Sequence, residues 1–306
     1  MTEADCVGIP SKTKHPSRDR AGKRRKQRAR AVPMDRSLEG LPLFRLSDSA
    51  ELSALSYSPD NGGRWRVLAY PGDRLPGTFD QDVYVEILRR FHDAGSPPDG
   101  AVSFTLHDFL RSIGRHADGR TYEQMRSSLT RLERTVLESS AAYYDASAAR
   151  PVDLSFSLLS SVSIQRRRAV DRDQLMLFPV LASGEPGVAR VVLAACLRTN
   201  LSAGHTVSLE IGAYSSLQSA VARRLYRMLT TIGAIEAEGG SQQTWLVPVL
   251  DLARMLPLTQ RYPSHLLRVL HPAHEMLISA GLIRGVVARE TDQGWMLEYS
   301  LSPPHK

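Results

Sequence analysis

Twice along this chain, the apolar spacing, caps and breakers run in the same order: helix, strand, short helix, turn, longer helix, strands. That repeated order constrains the fold more than any other feature. In the first pass Thr78 is placed to cap a helix, with Gln81 completing a capping box. Val83, Tyr84, Ile87, Leu88 and Phe91 fall on one face of it, and Gly95, Pro97 and Pro98 end it. Val102-Ser103-Phe104 reads as a short strand. Thr105 caps a second helix with Leu106, Phe109, Leu110 and Ile113 inward, and Gly114 stops it. After a turn over Arg115–Arg120, Thr121 is expected to cap a third helix with Gln124 at the box position. Its inward stripe is Met125, Leu129, Leu132 and Val136. The segments around Phe156 and Ile164 alternate polar and apolar as strands do.

The second pass repeats the order without repeating the residues. A helix is expected from Ser216 to Ile232, then a strand at Trp245-Leu246-Val247. A short helix follows with Pro248 in its first turn, and a third helix starts near Pro263 or Ser264 with Leu266, Leu270, Ala273 and Leu277 inward. Pro272 falls inside that helix and should kink it. Ile283–Ala288 and Trp295–Leu301 form a hairpin with Asp292-Gln293-Gly294 at its tip. A helix-turn-helix followed by a β-wing is the order of a winged helix. The sequence therefore predicts an α+β fold of two tandem winged-helix domains, over residues 37–200 and 201–306. Leu41-Pro42-Leu43-Phe44 is an apolar anchor ahead of the first, and Arg64–Leu68 is one strand of an early hairpin.

Residues 1–36 read differently. Rich in Lys, Arg, Ser and Pro, they offer little apolar surface to offset chain entropy and are expected to form a disordered basic tail. They hold 11 Lys/Arg and 4 Asp/Glu, a balance of 11 − 4 = +7, which is the whole net charge of the protein. The rest then holds 39 − 11 = 28 basic and 32 − 4 = 28 acidic residues. Lys23-Arg24-Arg25-Lys26 is the densest part. It suits a phosphate-binding arm or a solubilising leader. A neutral body can bind DNA only if its cations are grouped on one face.

A third helix in this order presents its outer side to the major groove. In the first domain that side carries Arg120, Ser127, Thr130, Arg131 and Arg134, flanked by Gln124 and Arg126, with Tyr122 at the edge and Arg115 in the turn before. In the second it carries Ser264 and Arg268, preceded by Gln260, Arg261 and Tyr262. Arg and Gln can contact guanine and adenine in bidentate fashion; Ser and Thr suit phosphates. Arg166-Arg167-Arg168 is either a phosphate grip in the first wing or a solvated turn. The implied partner is double-stranded DNA, with no membrane association.

Other chemistries find little support. No apolar run approaches the ~18 residues of a membrane span, and Cys6 and Cys196 cannot frame a disulfide scaffold or a zinc site. These features and a polar N-terminus point to a reducing cytoplasm. No phosphate-binding Gly-rich loop ending in Lys-Ser/Thr is present. Tyr143-Tyr144 lacks the His-x-His cluster a DNA-nicking tyrosine would need and reads as packing. His271 and His274 stand three apart, but nothing joins them as ligands. No cofactor, metal or catalytic residue is expected.

Certain residue runs carry a family resemblance. Phe79-Asp80-Gln81-Asp82-Val83, the stretch from Val102 to Leu110, Ile113-Gly114-Arg115, Gly119–Met125 and Ser128–Thr135 resemble the replication initiator protein A family of bacterial plasmids. Leu41–Phe44 and Ala222–Arg227 fit too. The resemblance implies tandem winged helices that bind repeated sites at a replication origin, promote opening, and recruit host initiator and helicase-loading proteins, with a homodimer as a further possibility. The alternatives are a winged-helix transcriptional repressor and an origin-nicking enzyme. Pro272 and the basic tail depart from the pattern.

Overall fold

The computed structural model describes residues 31–47, 54–59, 62–165, 188–238, 244–292 and 294–302. The first element is strand β1 (Ala31–Asp35), followed by one turn of helix α1 (Arg36–Glu39). This corrects the tail boundary: residues 31–36 belong to the fold, and residues 1–30 lie outside the described residues. Val32 and Met34 are fully buried, an alternation hidden in the sequence by Pro33 and the basic residues before it.

Strands β2 (Ala54–Tyr57) and β3 (Arg64–Leu68) form the early hairpin. Then come α2 (Thr78–Asp93), β4 (Ala101–Thr105), α3 (Leu106–Ser112) and α4 (Gly119–Arg134). Strands β5 (Val136–Asp145), β6 (Arg150–Phe156), β7 (Leu159–Ile164) and β8 (Val188–Leu193) follow. The chain continues through α5 (Ala195–Ser202), β9 (Thr206–Glu210), α6 (Ile211–Ser216) and α7 (Ala220–Glu238). It closes with β10 (Thr244–Pro248), α8 (Val249–Met255), α9 (Pro263–Ser279), β11 (Ile283–Thr291) and β12 (Gly294–Leu301).

The fold is mixed α and β, and its two halves share one topology. In the first, the strand after the leading helix joins the last strand of the trailing hairpin, in the order β4-β8-β7; in the second the order is β10-β12-β11. The first half also carries an inserted antiparallel sheet, β2-β3-β5-β6. The sequence pattern conceals β5 because Val136 extends the apolar stripe of α4 in register. Thr135 is already extended, at φ −69° and ψ 123°, and caps α4 instead, as β-branched residues favour. The buried apolar residues of both halves form one contiguous cluster.

Local chemistry moves two helix starts. Gly77, not Thr78, precedes α2, and Asp80 reaches back to accept from the Gly77 amide at 2.6 Å. Asp118, not Thr121, caps α4: it accepts from the Thr121 amide at 2.9 Å, while its own amide donates to the Thr121 hydroxyl at 3.2 Å. An ionised carboxylate at the positive end of a helix is the stronger acceptor. Thr105 caps α3 as expected, accepting from Asp108 at 3.1 Å. Gly114 then turns the chain at φ +71°, a conformation other residues resist. Helix α9 continues through Pro272, which faces solvent.

The halves are tied together through the start of the chain. β1 pairs antiparallel with β9, Ala31 opposite Glu210. Glu39 of α1, fully buried, accepts two bonds from Arg227 of α7, at 2.6 and 2.7 Å. Arg224 donates to the Glu39 and Leu41 carbonyls at 2.8 and 3.0 Å. The Trp65 indole donates to the Pro42 carbonyl at 2.7 Å. The arginine-rich run at 222–227 thus serves the interior.

Candidate nucleic-acid interface

α4 presents an exposed, cation-bearing side in the first half. Its apolar stripe, Met125, Leu129 and Leu132, is fully buried, so the opposite side must face solvent. Arg120, Gln124, Ser127 and Arg134 are exposed there, and Tyr122, Arg126 and Thr130 are half-buried at its margins. Tyr122 packs against the core. Glu123 is exposed but pairs with Arg126, which leaves Arg120 as the cation of the first turn. Arg134 lies over the Tyr70 ring, 5.1 Å from its centroid. No acid stands in the first turn of α4. The bonds from Thr121 hold the capping Asp118 carboxyl below the usual carboxylate range.

Arg131 is the correction on this helix. Expected at the outer side, it is buried, with Nη1 2.8 Å from both carboxylate oxygens of Asp80 and Nε 3.4 Å from Asp73. The reason is the width of the buried arc. Helix α2 packs on the flank of α4 that carries Ser128, fully buried, and Arg131 one turn on. A stripe drawn through the apolar residues alone misses that flank. Asp80 is thus bonded on both sides, capping α2 and anchoring α4.

Arg115 keeps half of its side chain exposed in the turn before α4. Its guanidinium sits 5.8 Å from the Phe79 ring centre and 3.9 Å from Asp82. Arg111, also exposed, was not singled out by the sequence; its position one turn before Gly114 was the available signal. Lys23, Arg24, Arg25, Lys26, Arg166, Arg167 and Arg168 lie outside the described residues.

In the second half, Arg261, Ser264 and Arg268 are exposed and Gln260 is half-buried. Tyr262 is 67% exposed and meets His265 edge-on. Ahead of α9, no side chain caps the helix, and Pro263 occupies its first turn. His274 is buried against Tyr299 at 2.7 Å; burial pulls its pKa down to about 4, so it stays neutral. It does not share the exposed side with His271. Among the described residues no group of three His, Cys, Asp or Glu is placed to hold a metal. No helix there is long and apolar enough to cross a membrane.

The tyrosine pair is likewise accounted for. Tyr143 is fully buried, donates to Asp35 at 2.6 Å, and accepts from Asn200 at 2.9 Å. Burial and the Asp35 carboxylate push its hydroxyl far above the usual phenol range. Tyr144 stacks on His205. Asp35 also accepts from the Ser37 and Leu38 amides, and burial raises its pKa to about 6.

Comparison with known proteins gives this geometry a setting. Residues 34–276 match the family model described as Replication initiator protein A. A protein of Wigglesworthia glossinidia brevipalpis named "Putative replication protein" is 31% identical over 96 residues, 30% of this chain. That alignment spans 34% of the relative, about a third of its length. The crystal structure of domains 2 and 3 of RctB is similar in fold, with a TM-score of 0.54 at 13% identity. The alignment covers 87% of this chain and 98% of that one.

Proposed function

This chain belongs to the replication initiator protein A family, and on that premise we propose that it binds repeated double-stranded DNA sites at a replication origin. Binding would promote opening of the duplex and recruitment of host replication proteins. The observation that carries the reading is α4: a capped helix, held by the buried Asp80–Arg131 pair, whose solvent side offers Arg120, Gln124, Ser127 and Arg134. Those side chains suit base edges and phosphates. With the β4-β8-β7 and β10-β12-β11 sheets behind them, α4 and α9 are read as the recognition helices of two winged-helix modules. The second contact would use Arg261, Ser264 and Arg268. We read the protein as a binding protein rather than an enzyme, because the tyrosine best placed in sequence to nick DNA is buried and bonded to Asp35. Opening would then draw on interactions that favour deformed over relaxed duplex.

The test is a plasmid carrying only this gene and its flanking repeats, introduced into a bacterial host. Autonomous replication that is lost on replacing Arg120 and Gln124 together by Ala supports an initiator. Specific binding in vitro without replication would leave a regulator of transcription instead.

A further inference from the structure

Three consecutive side chains near the start of α2 reach into both halves of the molecule. Asp80 accepts from Arg131 of α4 at 2.8 Å. Asp82 accepts from Arg223 of α7 at 2.6 Å and from Tyr214 of α6 at 2.8 Å. Gln81, between them, meets Arg227 and the Ala220 carbonyl of α7, each at 3.4 Å. Residues i and i+2 of a helix point about 200° apart, so Asp80 and Asp82 serve opposite sides of α2. All three are nearly or fully buried, at 2%, 0% and 6% exposure. Helix α7 in turn packs on α9. One helical turn therefore links the outward helix of the first half to the platform of the outward helix of the second.

We propose that the Asp80-Gln81-Asp82 turn sets the distance and angle between the two DNA-binding helices, and so determines which spacing of half-sites the protein accepts. This rests on the DNA-binding reading above. Its physical basis is that buried ion pairs add little net stability, since desolvation offsets their attraction, while their geometry is demanding. Three ionic or amide side chains gathered on one buried turn are better explained by a fixed geometry than by stabilisation. A duplex is stiff, and each inserted base pair rotates the second half-site by about one-tenth of a turn. A rigid link makes the protein intolerant of that rotation; a loosened link relaxes it. Arg223 is the member to alter, because it is a fifth exposed and its loss leaves Asp82 bonded to Tyr214.

The experiment is selection of bound duplexes from a randomised synthetic pool by the full chain, by Arg223→Gln, and by Asp82→Asn. Melting curves check that each variant is folded. The wild type should enrich a two-part site at one spacing, and one base pair inserted between the parts should cost it about tenfold in affinity. Arg223→Gln should keep the same base preference in the part read by α4, accept neighbouring spacings, and lose less than about threefold on insertion. Asp82→Asn should act alike if Arg223→Gln proves unstable. Unchanged spacing in a folded variant overturns the clamp, as does a wild-type site of one part only, and either result leaves DNA binding standing. A wild type that enriches no sequence removes both readings.

Discussion

Arg131 and Asp80 meet head-on beneath α4, the guanidinium Nη1 2.8 Å from each carboxylate oxygen, with side chains 9% and 3% exposed. Removing one partner of such a pair leaves a buried charge without compensation. Arg131→Ala should therefore lower the unfolding free energy by about 3–5 kcal/mol, measured by chemical denaturation. A variant of unchanged stability that loses base preference would return Arg131 to the role of a base reader.

Gln124 is the opposite case: exposed, on the outer flank of α4, and without structural duty. Gln124→Ala should leave the melting temperature unchanged. On a selected specific site it should cost about 1–3 kcal/mol and relax preference at one position. Equal weakening on specific and random duplex would instead make it a partner of the DNA backbone.

How much of this was visible in the sequence differs between the two residues. Gln124 follows from helical arithmetic on an amphipathic stripe, as do α3, α9 and the last hairpin. Arg131 does not, because a buried arginine and a solvated one look alike until its acid is known. That acid, Asp80, stands 51 positions earlier. The same reason hid the inward use of Arg223, Arg224 and Arg227, which bond Asp82, the Glu39 and Leu41 carbonyls, and the Glu39 carboxylate, all far back in the sequence. Strand β5 and strand β1 escape a sequence-based assignment because each depends on a distant partner, β3 and β9, rather than on its own composition.

The basic N-terminal segment ahead of β1 carries the net charge. Residues 1–30 hold 10 Lys/Arg and 3 Asp/Glu, again 10 − 3 = +7. Deleting residues 1–30 should preserve the melting temperature and weaken binding to every duplex alike. The slope of log affinity against log salt should fall by about 0.9 for each phosphate that the segment neutralises. An unchanged slope would remove the segment from the interface. Deleting residues 1–36 should do something else: it removes β1 and the Asp35 network, and the protein should unfold at markedly lower temperature.

Asp35 predicts a pH dependence. Its folded pKa, raised by burial to about 6, exceeds the ordinary 3.8, so the fold prefers the protonated acid. Its stabilising contribution is full below about pH 4 and is lost as pH rises through about 6. A shift of this size amounts to at most about 3 kcal/mol. Asp35→Asn lacks this titration. The difference in unfolding free energy, wild type minus variant, should fall between about pH 4 and 7; a difference constant across that range would mean the Asp35 carboxyl titrates normally.

Tyr143→Phe deletes the hydroxyl that bridges Asp35 and Asn200. It should cost about 1–3 kcal/mol in stability and leave origin function intact in cells grown cool enough to keep the protein folded. Loss of strand cleavage at an origin, in a protein of normal stability, would establish the enzymatic alternative.

The pairing of β1 with β9 also fixes an order of events during synthesis. Ala31 and Glu210 are 210 − 31 = 179 positions apart. At about 5–20 residues per second a ribosome needs on the order of ten seconds or more to deliver the partner strand. Through that interval Val32 and Met34 can pack on α2 but lack the strand that pairs with β1. Closing so long a loop is entropically slow, which places the pairing of β1 with β9 late in folding. The seam between the halves, β1 on β9 and α2 on α7, can close only after those later elements have left the ribosome.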